Sequence, residues 1–541
     1  LVVERHANLR ITHKEEISDS CEPPAEESSK YTAMQATPVP QRNLVSSLRR
    51  YSLPLLGASI AILVAALGLL SAASRPDATA IAPIRSLAVL PFKNLDPQGE
   101  DAHLGIGLAD ALITRLSSIK DLNVRPTSAV LKFNNNDQDA SDAALKLRVD
   151  AVLEGSIYRA GDRVRVTARL VRTSDQSLVW AGQFDEKAGD FFSIQNAISQ
   201  RVSDSLALSL GRSEKDALAK RHTESADAYQ LYVEGRYNWN KRDFAGMMQA
   251  EACFRKAIDR DPNFALAYLG LADTLSMRSE NNESLHAIQK AIELDENLGE
   301  AYASRGFWSM FKAWRWDQAE ADFKRAIELR PGYGTAHQWY ATLLAITGRV
   351  EEAKTEMRRA LEIDPMSHNF LADMGQMHYF AKEYDEAESY CLKALGINPD
   401  FVFAHHNLRD IYLAKREDDK SFEHMLKADK ALHPSSSQVK TEEEMARNQA
   451  GVRELYRQSG LKGIWRDSIK TASARVDALY YLPLFYYHTM LGEKEEALAA
   501  LEKAYEGREF MLPFVNIDPI YDGIRSEPRF LVVMQKMKLA R

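Results

Sequence analysis

An alanine returns at a nearly constant step through the second half of this 541-residue chain. Ala257, Ala291, Ala326, Ala360, Ala394 and Ala428 are separated by 34, 35, 34, 34 and 34 residues, and Pro331, Pro365 and Pro399 keep the 34-residue step. Such a period prescribes stacked helix–turn–helix units, because one unit cannot bury its apolar face without a neighbour. In Gly334–Pro365, His337, Tyr340, Ala341 and Leu344 fall on one face of a first helix. Gly348 can take the left-handed turn that ends it. Ala353, Met357 and Ala360 bring a second helix to the same side, and Pro365 stops it.

The same small, small, large, small, proline order recurs as Gly306, Ala319, Phe323, Ala326, Pro331 and, with a cysteine in the large position, as Gly375, Ala387, Cys391, Ala394, Pro399. These units resemble the tetratricopeptide (TPR) repeat. Repeats are expected to start near 228, 265, 299, 334, 368 and 402, the first with about three extra residues between its helices. Glu296 and His433 replace the closing proline in the second and sixth units. The array is placed at 225–435, an irregular helical connector at 437–475, and a degenerate repeat with a carboxyl-terminal cap at 478–541, carried by Gly492, Ala497 and Ala504.

The resemblance assigns the small residues to packing and the concave face of the first helices to recognition. That face holds Phe307, Met310, Phe311, Gln338, Thr342, Asn369, Gln376, Tyr379, His406 and Asp410. A protein or peptide partner in this groove is expected to touch Phe307, Phe311, Gln338, Asn369, Gln376, Tyr379, His406 and Asp410. The face shows no cluster of Lys and Arg, so a clamp for an acidic peptide terminus is not expected there. Trp314 and Trp316 frame an inter-helix loop and read as local packing, with partner anchoring as the alternative.

Ahead of the repeats, residues 84–210 read as a compact α/β domain. Ser86–Phe92, Leu122–Pro126 and Ala151–Tyr158 are predicted strands, and Leu104–Ile119 and Ala140–Leu147 predicted helices. Ala160-Gly161-Asp162 makes a hairpin turn, after which Val164, Val166, Ala168 and Leu170 alternate with Arg163, Arg165, Thr167 and Arg169. Leu178–Phe184 comes next as a strand and Phe191–Leu210 as a helix. AVLPFKNL (88–95), GIGLADALITRLSSI (105–119), DAVLEGSIYRAGDRVRVTARLV (150–171) and VWAGQFD (179–185) resemble the TolB-like amino-terminal domain. AYQLYVEGRYNWNK (228–241) resembles the segment on the carboxyl side of that domain in members of the family. The resemblance implies fusion to TPR arrays. It also implies a membrane helix and an output module on the amino-terminal side: winged-helix, adenylate cyclase or kinase. Residues 1–50 do not resemble any of these.

Tyr51–Ser74 carries no charge, and Leu53–Ala73 gives 21 mostly apolar residues, enough for a helix of about 30 Å, the thickness of a bilayer core. Ser71-Ala72-Ala73 has the look of a signal-peptide cleavage site, but the fifty residues ahead favour an uncleaved anchor. Arg42, Arg49 and Arg50 precede the run and Arg75 succeeds it, which puts residues 1–50, a polar tail and linker, in the cytoplasm and the rest outside, on a single-pass inner-membrane protein.

The net charge of −7 and the lack of a basic domain argue against nucleic-acid binding by this chain alone. Cys21, Cys253 and Cys391 do not make a disulfide framework. Gly105-Ile106-Gly107 lacks its third glycine; the sequence has no GxxxxGKS or GxxxxGKT loop, GxSxG elbow or HExxH pair. His378, His405 and His406 lack companions at ligand spacing. No cofactor, metal or enzymatic activity is expected. The fold class is an α/β domain followed by an all-α TPR superhelix, with one amino-terminal transmembrane helix. The expected role is a membrane-anchored interaction scaffold or sensor. The alternative is the sensor half of a winged-helix regulator whose DNA-binding module precedes Leu1.

Overall fold

The computed structural model describes residues 83–539, apart from 96–101, 120, 134–139, 162, 188–190, 207–210, 212–214, 216–217, 242–243, 278–280, 433–441 and 474–480. The apolar run Leu53–Ala73 and the tail before it lie outside the described residues. Among the described residues, no helix is long and apolar enough to cross a membrane.

The first part is a mixed sheet with helices. Its strands are β1 (Ser86–Val89), β2 (Lys93–Asn94), β3 (Asn123–Val124), β4 (Ala151–Ala160), β5 (Arg163–Arg172) and β6 (Leu178–Lys187). The order is β3-β1-β4-β5-β6, with β2 beside β4. β1 lies parallel to β3 and β4, while β4–β5 and β5–β6 are antiparallel. Gly161, at φ +62, turns the β4–β5 hairpin. On β5 the predicted alternation holds: Val164, Val166, Ala168 and Leu170 are buried and the intervening Arg163, Arg165, Thr167 and Arg169 are exposed. Helices α1 (Ala102–Leu116), α2 (Ala140–Leu147) and α3 (Phe191–Ser205) flank the sheet. Leu108, Leu112, Leu147, Leu153 and Ile198 meet in one core.

The second part is all helical. First and second helices alternate as α4 (Ala226–Asn240), α5 (Phe244–Arg260), α6 (Ala265–Met277), α7 (Asn281–Leu294), α8 (Gly299–Trp308), α9 (Trp316–Leu329), α10 (Gly334–Ile346), α11 (Val350–Ile363), α12 (His368–Phe380), α13 (Tyr384–Ile397), α14 (Val402–Ala414) and α15 (Asp418–Leu432). Close approach of paired helices depends on matched sizes. A Cβ at Gly306 would stand 2.7 Å from the Phe323 ring, and one at Gly375 2.5 Å from the Cys391 sulfur. Cys253 and Cys391 are free and buried. His337 and His405 do the same work two repeats apart: each ring Nε2 meets the carbonyl of the loop proline six residues earlier, Pro331 at 3.0 Å and Pro399 at 2.9 Å. They are packing groups, and no cluster of metal-ligating side chains occurs among the described residues.

The α/β part packs directly on the solenoid. Asp110 of α1 is 4% exposed and receives Arg236 of α4 at 3.1 and 3.2 Å and the Thr127 hydroxyl at 2.6 Å. Burial pushes this carboxyl up, but Arg236 and Thr127 more than offset it, and it titrates below the usual carboxylate range. Arg125 donates to the Arg148 carbonyl at 2.8 Å and, across the junction, to that of Ile363. Asn123 donates to the Glu362 carbonyl at 3.0 Å and Arg330 to that of Thr114 at 3.2 Å.

Beyond the repeats, α16 (Glu442–Ser473) breaks at Gly460, whose φ is +60. It is followed by α17 (Tyr481–Leu491), α18 (Lys494–Glu506), two 3-10 turns at Leu512–Asn516 and Pro519–Tyr521, and α19 (Pro528–Lys536).

Candidate functional site

The one 35-residue step in the array has a structural cause. From Gly306 to Ala319 is 13 residues, against 12 from Ala341 to Ala353 and from Gly375 to Ala387. The extra residue sits in a π-helical turn, Ser309–Ala313, that continues α8. Such a turn widens the helix by one residue and is frequent at functional sites. It ends at Trp314, whose φ of +55 is left-handed. The loop that follows meets the carboxyl-terminal segment of the chain through Trp314 and Trp316.

That segment occupies the aromatic part of the inner face. Phe510 stacks on Phe311 with ring centroids 4.3 Å apart and lies 5.9 Å from Phe307. Phe514 lies 6.0 Å from Phe311 and 6.1 Å from Phe380. Asn516 donates to the carbonyl of Ile346 at 2.8 Å, and the Tyr379 hydroxyl donates to Asp518 at 2.9 Å. Arg525 clasps the turn from behind, donating to the carbonyls of Val515, Asn516 and Asp518. The two tryptophans of the widened loop also face this segment. Trp314 stacks on Tyr505 at 5.5 Å, and the Trp316 indole N–H donates to the Met537 carbonyl at 2.7 Å.

The residues expected to line an open groove are therefore largely engaged within the chain. Phe307, Phe311 and Tyr379 face the carboxyl-terminal segment, and Phe311 and Tyr379 are each only 4% exposed. Gln338 donates to Asp373 at 2.6 Å. Asp410 is held by both arms of Arg409 at 2.7 and 2.8 Å. His406 faces Arg409 at 3.0 Å, and its other nitrogen is buried without a partner. Gln376 is half-buried and Asn369 exposed. Met310 and Thr342 are buried. The aromatic part of the inner face is thus covered by the tail, which keeps Phe311 and Phe514 against other rings.

The cover is electrostatically sensitive. Burial, reinforced by Asp410, pushes the Asp518 carboxyl up to about 7, against the lowering effect of Ile520 N–H, Tyr379 and Arg409. Burial pushes Asp373 up to about 6. Burial and Arg409 hold His406 well below the ordinary histidine range.

Sequence reasoning passed over Lys312, Arg315 and Arg508, which converge on a pocket of about 500 Å³ beside the widened loop. It also passed over Phe510, Phe514 and Asp518, which the fold brings onto the inner face. The 35-residue step and the unrepeated aromatic run FMLPFVNIDPIY (510–521) were the available signals.

Known proteins share parts of this architecture. Residues 84–201 match the HilA/YgeH-like transcriptional regulator, second domain. Residues 310–373 and 348–400 match tetratricopeptide repeat models. The chain has TPR repeats behind a HilA-like domain, and this regulator domain covers the stretch that resembles a TolB-like one. Over 295 residues the chain is 24% identical to "Transcriptional regulator HilA" of Salmonella typhimurium, covering 52% of this chain and 51% of that protein. Over 187 residues it is 27% identical to "Putative adenylate cyclase 3" of Rhizobium meliloti, covering 35% of this chain and 32% of that protein. The chain thus spans about half or less of these relatives' length. The crystal structure titled "YrrB: a TPR protein with an unusual peptide-binding site" is 25% identical with a TM-score of 0.26, covering 33% of this chain and 91% of that one.

Proposed function

We propose that this chain is the partner-binding, regulatory part of a transcriptional regulator. The observation that carries the reading is the match of residues 84–201 to a regulator's second domain, on which the repeat array packs through Asp110 and Arg236. TPR arrays are binding surfaces rather than catalysts. Two relatives with different names, a regulator and a cyclase, share parts of this chain. That supports a shared regulatory part over a shared output.

In this reading the inner face receives a protein or peptide, and the tail Phe510–Tyr521 holds the face until a partner competes. The competitor must offer groups like the tail's: two aromatic rings four residues apart and a hydrogen-bond acceptor four further on, as Phe510, Phe514 and Asp518 do. The test is transcript profiling in the source organism, comparing gene deletion with Phe510→Ala, which loosens the tail. Both are expected to move an overlapping set of transcripts. An unchanged profile in both strains rejects the regulatory role.

The reading includes a membrane anchor at Leu53–Ala73, supported by its length and lack of charge. Release of the full-length protein by alkaline carbonate would reject it.

A further inference from the structure

Several cations of this solenoid are matched to carboxylates: Arg305 to Asp322 at 2.6 Å, Arg349 to Glu320 at 2.9 Å, Lys354 to Glu383 at 2.8 Å, Lys415 to Glu388 at 2.7 Å, and Arg529 to Glu502 at 2.7 Å. The pocket beside the widened loop instead gathers three cations that are not matched in this way. Lys312, Arg315 and Arg508 all line it, together with Asn282 and Trp308. Among the described residues, none of the three is ion-paired, and no carboxylate lines the pocket. Lys312 and Arg508 rest on aromatic faces instead, 5.2 Å from the Phe510 centroid and 5.4 Å from that of Trp314.

Two backbone turns bring these groups together. Lys312 stands within the π turn, Trp314 has φ +55 and Arg508 has φ +47. The left-handed turn at Arg508 is the helix-ending turn that Lys382, Arg416 and Lys538 also make, whereas the one at Trp314 closes the π turn. Burial alone, with no opposing carboxylate, lowers the Lys312 ammonium. With no counter-charge among the described residues, the three cations repel one another, and an entering anion relieves that repulsion. Two guanidinium forks suit a planar carboxylate or a phosphate. The pocket's volume of about 500 Å³ admits a small molecule rather than a lone ion.

We infer that this pocket binds the phosphate or carboxylate group of a small anionic metabolite. Asn282 supplies a neutral polar contact and Trp308 an apolar wall. Because Arg508 belongs to the carboxyl-terminal part while Lys312 and Arg315 belong to the third repeat, the bound anion ties the two together. The inference stands independently of what the inner face binds.

The test is isothermal titration calorimetry on the full chain with pyrophosphate, ATP and citrate as probes. The triple variant Lys312→Met, Arg315→Gln, Arg508→Gln keeps side-chain bulk and is checked for native circular dichroism. The expected result is saturable binding of at least one probe, at least tenfold weaker in the triple variant. Which probes bind separates phosphate from carboxylate ligands. A single Arg315→Gln variant, exposed and free of packing duties, is expected to weaken binding at least threefold. No binding by the wild-type chain at millimolar probe overturns the inference, as does binding that the triple and single variants leave unchanged.

Discussion

Asp518→Asn isolates the proton dependence of tail docking. The Asp518 carboxyl accepts from the Tyr379 hydroxyl and from Ile520 N–H. Asp410, Arg409, Tyr379, Tyr486 and Tyr521 surround it. Asparagine keeps the accepting oxygen and loses the charge. Folding raises the Asp518 pKa from 3.8 to about 7. A raised carboxyl pKa means the docked state holds the proton more tightly. The stability this contributes is therefore fully present below about pH 4 and is lost as pH rises toward about 7. Three pH units correspond to ~4 kcal/mol at 1.36 kcal/mol each. Asp518 retains some solvent access, so screening reduces this to roughly 2–3 kcal/mol. Amide hydrogen exchange across residues 510–522, corrected for intrinsic rates, reads the local opening free energy. Wild type and Asp518→Asn are expected to exchange alike at pH 4. At pH 7.5 the variant is expected to be protected about 30- to 150-fold more strongly. Asp373, which also titrates high, is intact in both proteins and cancels in the comparison. Equal protection at pH 7.5, or a wild-type tail that tightens with rising pH, would refute the reasoning.

The packing sets two further stabilities. Arg236→Ala leaves the Asp110 carboxylate, 6% exposed at its side chain, without its cation; the expected loss is ~3–5 kcal/mol, read as earlier proteolysis between residues 206 and 226 on a urea gradient. Phe323→Ala opens a cavity under Gly306, since the fully buried ring fills the space a Cβ there would need; the expected loss is ~3–5 kcal/mol, measured by chemical denaturation of the solenoid, and a loss under ~1 kcal/mol contradicts the packing argument.

The repeats were legible because their constraint is local and periodic. Gly306 with Phe323 and Gly375 with Cys391 each set one inter-helix distance within a single unit, so a step of 34 residues announces the contact. His405 could be read from His337 for the same reason. The mixed sheet was legible from alternation on β5 and from the Gly161 turn. The covered inner face was not, because its contacts join residues far apart: 139 positions from Tyr379 to Asp518 and 221 from Trp316 to Met537. Nothing periodic links such residues. The cationic pocket failed to register for the same reason, with Lys312 and Arg315 in one repeat and Arg508 beyond the array. The single trace it left was the extra residue between Gly306 and Ala319.

Both ends of the docked tail carry groups whose charge is not settled by the chain itself. At the Arg508 end, three cations stand together without a carboxylate among the described residues; at the Asp518 end, a carboxyl lies near Asp410 in partial burial. Between them Phe510 and Phe514 make apolar contacts that depend on neither proton nor anion. Apolar burial holds the segment in place, and the two ends tune how firmly it is held. An anion beside Arg508 removes repulsion there, and a proton on Asp518 removes the cost of burying its charge, together with repulsion from Asp410. Acid and a bound anion therefore act in the same direction, toward the covered face. A partner that uncovers it works against least resistance at neutral pH with the cationic pocket empty, because then both ends carry unrelieved charge, and the aromatic contacts and the hydrogen bonds of Asn516 and Tyr379 remain to be replaced.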